Sequence, residues 1–323
     1  RFEYGYGLTP EIVAVALQRQ PDLLLTVDNG ISSVDGVAAA KAAGLKVLVT
    51  DHHLPGPELP AADAIVNPNQ PDCPFPSKNL AGVGVIYYVL AAVRDALKAM
   101  GKLPTPEPNL GAWLDIVALG TVADVVKLDA NNRWLVQQGL KLIRRGGARP
   151  GVKALFDVAG LDWRRATSQN FGFGLGPRIN AAGRLDDMTV GIRCLLAENE
   201  EEALHYAYML DDYNIRRKEI EKSMKDVAWN TIDVEKQAGN FTRVVFDPTF
   251  HEGVIGIVAG RIKEEANTPV VVFAAAAEEG FIKGSGRSIN GVHLRDVLDM
   301  VHKRGNELFS KFGGHAMAAG MTL

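Results

Sequence analysis

An aspartate followed directly by two histidines, Asp51-His52-His53, is the group of residues in this sequence best suited to chemistry. The segment before it, GLKVLVT, is typical of a buried strand. Neighbouring residues of a strand point to opposite faces, so a strand could not direct both imidazole rings at one target. We therefore expect the three residues to lie in a loop that leaves the strand, where both rings can face one site.

Two further carboxylates, Asp28 and Asp124, could complete a metal site with His52. Asp28 follows another apolar segment, PDLLLTV, and precedes Asn-Gly; taken alone, it would be a turn-forming residue. Ligands of parallel sheets bind beyond the carboxyl ends of the strands, where Asp28 and His52 would meet. Asp124 lies in the apolar segment GTVADVV, where an unpaired charge would be costly. Carboxylates with an imidazole favour Mn²⁺ over an all-oxygen Mg²⁺ site.

The elements that must position these residues alternate between strand and helix. Strands predicted at PDLLLTV, LKVLVT and AIV are separated by helical segments, which predicts an α/β fold with a doubly wound, mostly parallel sheet. Residues 80–145 are mostly helical in pattern, and 171–187 are typical of a glycine-rich loop. A charged, proline-free stretch predicts one long helix that leads to a smaller α/β domain. We expect a first domain over 1–197, a connecting helix over 198–238 and a second domain over 239–323.

Composition sets broad limits on the class of protein. A chain of 323 residues normally forms two domains. Cys73 and Cys194 form neither a disulfide framework nor a zinc site, and with no secretory signal or membrane span in view they indicate a reducing, cytoplasmic setting. The net charge of −3 gives no global nucleic-acid signature, although a local basic groove is compatible with it.

The polar motifs occur in an order that resembles a known family. VDNG, TDHH and GTVADVV are similar to successive motifs of the DHH phosphoesterase superfamily, and GSGRSI and GGHAMAAG resemble its DHHA1 companion domain. RFEYGYGL, LGPRINAAGRLDD and HEGVIGIVAGRIKE resemble the RecJ family of single-strand-specific 5′→3′ exonucleases. The resemblance runs from Arg1 to Leu323.

The resemblance implies a role for each residue of the first site. Asp28 would bridge two divalent ions, Mn²⁺ or Mg²⁺, and His52 and Asp124 would hold the second ion. Asp51 would orient the neighbouring histidine from the outer shell, and His53 would face the scissile phosphate. Two such ions can activate a water and stabilise the leaving oxygen of an in-line displacement.

The second domain contains a pattern suited to anions. KGSGRS combines glycines with the hydroxyl of Ser285 and the guanidinium of Arg287, which together can cradle a phosphate; a tight hairpin is the competing interpretation. His315 follows two glycines and could reach a cleft or begin a helix. Arg178 and Arg184 are candidate substrate contacts or structural tethers, and the resemblance implies that Arg1 helps to grip a 5′-phosphate.

One family motif, Asp-x-Asp-x-Asp, would precede RFEYGYGL and is not in this sequence. We therefore expect a fragment that is inactive alone, taken from a metal-dependent 5′→3′ exonuclease that acts on single-stranded DNA in repair and recombination. The implied partners are single-stranded DNA, a single-strand-binding protein and a helicase, with no membrane. The alternatives are another DHH phosphoesterase that acts on short oligonucleotides or pyrophosphate, and a non-catalytic DNA-binding relative.

Overall fold

The computed structural model describes residues 7–234, 240–305 and 308–323. The chain divides into two compact units. The first contains the residues up to Gly183 together with Met188–Asp211, and the second contains Arg184–Asp187 and Asp212–Leu323. Among the described residues, no helix is both long enough and apolar enough to cross a membrane.

The first unit contains a parallel sheet of three strands in the order β1-β2-β3, which confirms the predicted α/β class. A helix precedes the sheet because Thr9 caps it by accepting from the amide of Ile12, and Pro10 suits its first turn. The elements of this part are α1 (Pro10–Leu17), β1 (Leu23–Val27), α2 (Val34–Ala42), β2 (Lys46–Thr50) and β3 (Ala64–Val66).

The core beneath this sheet follows from the strand alternation. Val47 and Val49 point to the same face of β2 and are fully buried. They pack with Val13 of α1 and with Val37 and Ala40 of α2. Burial of this face fixes the register of the sheet, because a slip of one residue would turn the valines outward. The carboxyl ends of β1 and β2 are thereby held side by side.

Beyond the sheet the first unit is mostly helical, as predicted for 80–145. Its helices are α3 (Gly82–Ala99), α4 (Leu114–Ala123), α5 (Ala130–Arg144), α6 (Pro150–Val158), α7 (Gly176–Leu185) and α8 (Thr189–Leu196), with 3₁₀ turns at Leu110–Trp113 and Trp163–Arg165. A buried ion pair fixes α4: the carboxylate of Asp115 accepts from the backbone amide and the guanidinium of Arg149. This pair ties the start of α4 to the start of α6.

The prediction of a loop over 171–187 is wrong. Residues Asn170–Leu175 form a π-helix that runs into α7. The glycines there permit close packing: a Cβ on Gly174 would lie 2.7 Å from Leu161 Cδ1, and one on Gly176 would lie 2.9 Å from the Phe171 carbonyl oxygen. Glycines that serve packing and glycines that serve turns look alike in sequence.

The second unit contains a five-stranded sheet in the order β4-β5-β6-β8-β7. Only the β4–β5 pair is parallel. The predicted long helix is confirmed as α9 (Glu200–Val234), whose first residues belong to the first unit. The other elements are β4 (Arg243–Phe246), α10 (Ile255–Ala266), β5 (Val270–Ala275), β6 (Ile282–Arg287), α11 (Leu294–Arg304), β7 (Lys311–Gly314) and β8 (Ala318–Thr322).

Candidate metal centre

The loop that follows β2 is organised around the buried carboxylate of Asp51, which is 1% exposed. This carboxylate accepts hydrogen bonds from the backbone amides of Ile31, His52 and His53. It also lies 2.7 Å from Nδ1 of His53. The triplet therefore lies in a loop beyond the strand, as the sequence predicted, and Asp51 holds that loop in shape.

The same contacts set the protonation of His53. Burial acts to raise the pKa of Asp51, but the hydrogen bonds from His53 and the three amides outweigh it and lower that pKa. An ionised Asp51 can only accept, so Nδ1 of His53 carries a proton and Nε2 is left to face the site. The hydrogen bond to Asp51 raises the pKa of His53 against the opposing effect of burial.

His52 presents a buried nitrogen to two carboxylates. Its Nε2 lies 3.0 Å from Asp28 Oδ1 and 3.4 Å from Asp124 Oδ2. Neither contact has hydrogen-bond geometry, so this buried atom has no hydrogen-bond partner among the described residues. A buried polar atom of this kind is rare in proteins and calls for an explanation. A cation between the three groups would supply one.

Asp28 reaches this position through an unusual backbone. Its φ is +66°, in the left-handed region that aspartate tolerates better than most residues. The turn is closed by Thr26, whose hydroxyl donates to the Asn29 carbonyl. The start of α3 lies against the Asp28 side chain, and a Cβ on Gly82 would be 2.3 Å from Asp28 Oδ1 and 2.6 Å from Asp28 Cβ. Because Gly82 has no side chain, the carboxylate of Asp28 can occupy this space.

Asp124 lies at the end of α4, where the helix dipole is negative. Burial raises the pKa of its carboxyl and the charge of Asp28 adds to the effect, against the opposing charge effects of His52 and His53. The protein thus holds Asp124 at the unfavourable end of a helix, with the carboxylate of Asp28 on the other side of His52 Nε2. Such an arrangement is destabilising without a cation and favourable with one.

The donor set suits a divalent transition metal. Asp28, His52 and His53 each offer a ligand atom, and these atoms lie within 4.8 Å of one another. The structure thus brings together the three predicted ligands, Asp28, His52 and Asp124, and adds His53 to the group. Mixed carboxylate and imidazole donors fit Mn²⁺ better than they fit Mg²⁺, which prefers oxygen ligands.

We expect metal binding at this site to weaken towards acid pH. The carboxylate of Asp28 raises the pKa of His52, the charge of Asp124 adds to this effect, and burial opposes it. Because the folded protein favours the protonated imidazole, protonated His52 stabilises the metal-free fold at low pH. That stabilisation is lost as the pH rises through the raised pKa. A metal requires the neutral imidazole, so Mn²⁺ affinity should fall about tenfold per pH unit below this pKa. Thermal melts with and without Mn²⁺ should show a larger increase in Tm at about pH 8 than at about pH 6.

An increase in Tm that is the same at both pH values would contradict this expectation. His205→Ala provides the control, because this exposed histidine lies on α9 outside the cluster. It should leave the pH dependence unchanged.

Two asparagines that the sequence analysis missed hold the histidine loop from outside. The side-chain amide of Asn67 donates to the His53 carbonyl, and that of Asn69 donates to the His52 carbonyl. Both follow β3, the strand next to β2. The rule that parallel strands end at one edge of a sheet could have found them.

The second unit brings Ser285 and Arg287 together on one face of β6. The guanidinium of Arg287 donates to the Ser285 hydroxyl, 3.1 Å away. Among the described residues no carboxylate lies within ion-pair distance of Arg287, and burial lowers its pKa. A Cβ on Gly256, in the first turn of α10, would lie 2.9 Å from both side chains. An uncompensated guanidinium, a hydroxyl and a helix start are suited to an anion.

The remaining predicted contacts have different surroundings. His315 is exposed in the turn between β7 and β8, next to Ala318, which pairs with Arg287. Arg178 forms an ion pair with Asp211 at 2.8 Å, and Arg184 donates to the Gly253 carbonyl. Each arginine therefore has a bonding partner within its own unit. Arg1 lies outside the described residues.

Comparison with known proteins gives matches for both parts of the chain. Residues 4–121 match the DHH family, N-terminal domain, and residues 239–323 match the DHHA1 domain. Over its whole length the chain is 52% identical to the single-stranded-DNA-specific exonuclease RecJ of Salmonella typhimurium, of which it covers 57%. The chain thus spans little more than half the length of the curated relatives it matches.

Solved structures agree with these matches. A crystal structure of exonuclease RecJ bound to manganese is 33% identical, with a TM-score of 0.82 over the whole chain and 76% of that structure. RecJ in complex with Mn²⁺ from Thermus thermophilus is 32% identical, with a TM-score of 0.80 over 97% of this chain and 44% of that one. The parallel sheet with its Asp–His cluster and the two domain matches assign the chain to the proteins that combine a DHH domain with a DHHA1 domain. Within this group, the chain belongs to the RecJ family.

Proposed function

We propose that this chain is the catalytic part of a metal-dependent exonuclease that degrades single-stranded DNA from the 5′ end to 5′-mononucleotides. One observation carries the proposal: the buried Nε2 of His52 lies between the carboxylates of Asp28 and Asp124 without a hydrogen bond. A divalent cation would satisfy all three groups. The substrate is supported by the relatives that match the whole chain, which are named single-stranded-DNA-specific exonucleases.

The cofactor in this proposal is Mn²⁺ or Mg²⁺, held by Asp28, His52 and Asp124. Ions of this kind activate a water and stabilise charge on the leaving oxygen of a phosphodiester. The imidazole ligand favours Mn²⁺. Asp51 acts from the outer shell, because it holds the loop and keeps a proton on Nδ1 of His53.

His53 would contact the scissile phosphate. Its raised pKa keeps the imidazolium populated closer to neutral pH, so that Nε2 can donate to a phosphate oxygen. Ser285 and Arg287 would hold the terminal phosphate, with His315 at the adjoining turn. Arg178, Arg184 and Arg1 are the further proposed contacts to the strand.

The wider role proposed is DNA repair and recombination in the cytoplasm, with a single-strand-binding protein and a helicase as partners. The proposed domain bounds are 1–197 for the DHH domain, 198–238 for the connecting helix and 239–323 for the DHHA1 domain. The DHHA1 match over 239–323 supports the last of these.

The test is digestion of a 5′-labelled DNA strand by the full-length gene product with Mn²⁺. Labelled mononucleotide should be the first product, and a chelator should stop its release. A blunt duplex of the same sequence, kept well below its melting temperature, should be resistant. Release of longer labelled fragments, or activity only on dinucleotides, would favour another phosphoesterase activity.

Arg287→Ala should weaken the binding of 5′-phosphorylated strands more than that of 5′-hydroxyl strands. Loss of one charge-assisted hydrogen bond costs about 1.5–3 kcal/mol, or roughly 10-fold to 150-fold in affinity. Binding of the two kinds of strand can be compared by fluorescence anisotropy with the metal chelated. Arg295→Ala is the matched control, since this arginine is exposed on α11 of the same unit. Equal losses for both strands would mean that Arg287 contacts the backbone in general.

A further inference from the structure

A strongly basic segment lies in the first unit, outside the metal centre. Residues 141–165 contain seven lysines and arginines and two aspartates, in a chain whose net charge is −3. Most of these cations are exposed. The surface they form, called here the Trp163 surface, consists of Lys141, Arg144, Arg145, Lys153, Arg164 and Arg165.

Two of these cations lie over one indole ring, and a third is bonded close to it in sequence. Arg164 lies over the ring of Trp163 with its guanidinium carbon 4.3 Å from the ring centroid, and the Lys153 ammonium lies 5.4 Å from it. The end of α5 meets the same place, because the guanidinium of Arg144 donates twice to the Ala166 carbonyl. The ring also lies against Gly146. The end of α5, helix α6 and the turn at Trp163–Arg165 thus each contribute a cation near this ring.

These charges are poorly neutralised. Lys141, Arg145 and Arg165 have no carboxylate within ion-pair distance in the described part of the chain. Arg144 is bound to a carbonyl, which leaves its charge uncompensated. Arg164 approaches Asp162 only at 3.5 Å, and both side chains are well exposed. The nearby buried aspartate, Asp115, is already paired with Arg149.

The segment 141–165 lacks the exposed apolar residues that a protein–protein interface would need. Across 141–165, all of which the structure describes, no large hydrophobic side chain is exposed. Protein–protein interfaces have an apolar, aromatic core, whereas nucleic-acid interfaces are polar and strongly positive. Arginines predominate here, and their guanidinium groups match phosphate oxygens. The chemistry of this surface therefore fits a phosphate backbone better than an acidic protein.

We propose that the Trp163 surface binds the phosphate backbone of single-stranded DNA at a distance from the metal centre. The inference rests on the proposed nuclease function and adds a second contact region for the same strand. Helix α4 sets the separation, because α5, which carries Lys141 and Arg144, packs through Gly139 against Leu114 at the start of α4, and Asp124 follows its end. At 1.5 Å per residue Leu114 and Asp124 are about 15 Å apart. That is about four stacked nucleotides at 3.4 Å each, so a trinucleotide in the metal centre would not reach the surface.

The test uses Arg145→Ala/Arg165→Ala and measures binding by anisotropy with the metal chelated. For a strand of about twenty nucleotides, the dissociation constant should rise roughly tenfold. The slope of log K against log salt should become shallower by about 1.4, at about 0.7 per lost phosphate contact. Binding of a trinucleotide should not change. The matched control is Arg19→Ala/Lys102→Ala, which removes two exposed cations of the same unit and should leave both probes bound as before.

Three results would overturn the proposal. One is a long strand bound with unchanged affinity and salt slope by the Arg145/Arg165 variant. Another is an equal loss for the trinucleotide and the long strand, which would mean a general effect. The third is lost binding of polyglutamate with unchanged binding of DNA, which would assign the surface to an acidic peptide. The first two leave the nuclease proposal intact if the wild-type protein binds DNA, whereas a wild-type protein that binds neither strand overturns both proposals.

Discussion

Asp28→Asn is expected to abolish metal-dependent turnover while the fold is retained. Asparagine keeps the size of the side chain and tolerates the left-handed backbone at this position, where φ is +66°. It removes the charge that faces His52 Nε2 at 3.0 Å. Metal-ion catalysis contributes several kcal/mol, so nuclease turnover in the full-length gene product should fall about 1000-fold or more. Loss of an outer-shell partner lowers metal affinity by up to about 100-fold. Loss of a ligand should cost at least as much, so we expect the Mn²⁺ affinity of the chain, measured by titration calorimetry, to fall by about 100-fold or more.

Asp22→Asn is the matched control for this variant. Asp22 is exposed just before β1, at the opposite end of the strand from Asp28. It should leave Mn²⁺ affinity and turnover unchanged. If Asp28→Asn bound Mn²⁺ like the wild type and digested DNA at full rate, Asp28 would have no place in the site.

Gly82→Ala should disrupt the metal centre without touching a ligand. The new Cβ would lie 2.6 Å from Asp28 Cβ, whose position is set by the backbone and cannot be changed by a side-chain rotation. Either the end of β1 or the start of α3 must move, and the carboxylate moves with it. We expect Mn²⁺ affinity to fall about tenfold or more. Overpacking of this kind should also destabilise the metal-free fold by about 1–3 kcal/mol.

Gly84→Ala separates this effect from a general effect of alanine in α3. Its Cβ would meet the end of the Leu80 side chain at 3.0 Å, which can adjust, and alanine favours the helix. Its Mn²⁺ affinity should match that of the wild type. In an Asp28→Gly background the clash is gone, so Gly82→Ala should cost less there, with a coupling of about 0.5–3 kcal/mol in denaturant unfolding. Unchanged Mn²⁺ affinity in Gly82→Ala would refute the steric role of Gly82.

Much of the fold could be predicted from local patterns. The parallel sheet, the long helix and the second α/β domain follow from alternation, caps and hydrophobic periodicity. The helical structure of the glycine-rich segment 171–187 could not be predicted in this way, because the packing of Gly174 against Leu161 and of Gly176 against Ala123 is a tertiary fact. The local glycine content indicated a loop, whereas in the structure the glycines allow a helix to pack closely against its neighbours.

The candidate site divides in the same way. The meeting of Asp28 and His52 was determined by the sequence, since both follow strands of one parallel sheet and such strands end at a common edge. The tertiary structure alone decided the proton position on His53, the orphaned Nε2 of His52 and the dependence of Asp28 on Gly82. The first depends on the orientation of the His53 ring beside Asp51, and the other two depend on distances of a few ångströms between segments far apart in the chain. Residue types and spacing specify neither. The same reason hid the Trp163 surface: its cations were visible as sequence, but their common location depends on how α5, α6 and the turn at Trp163–Arg165 pack together.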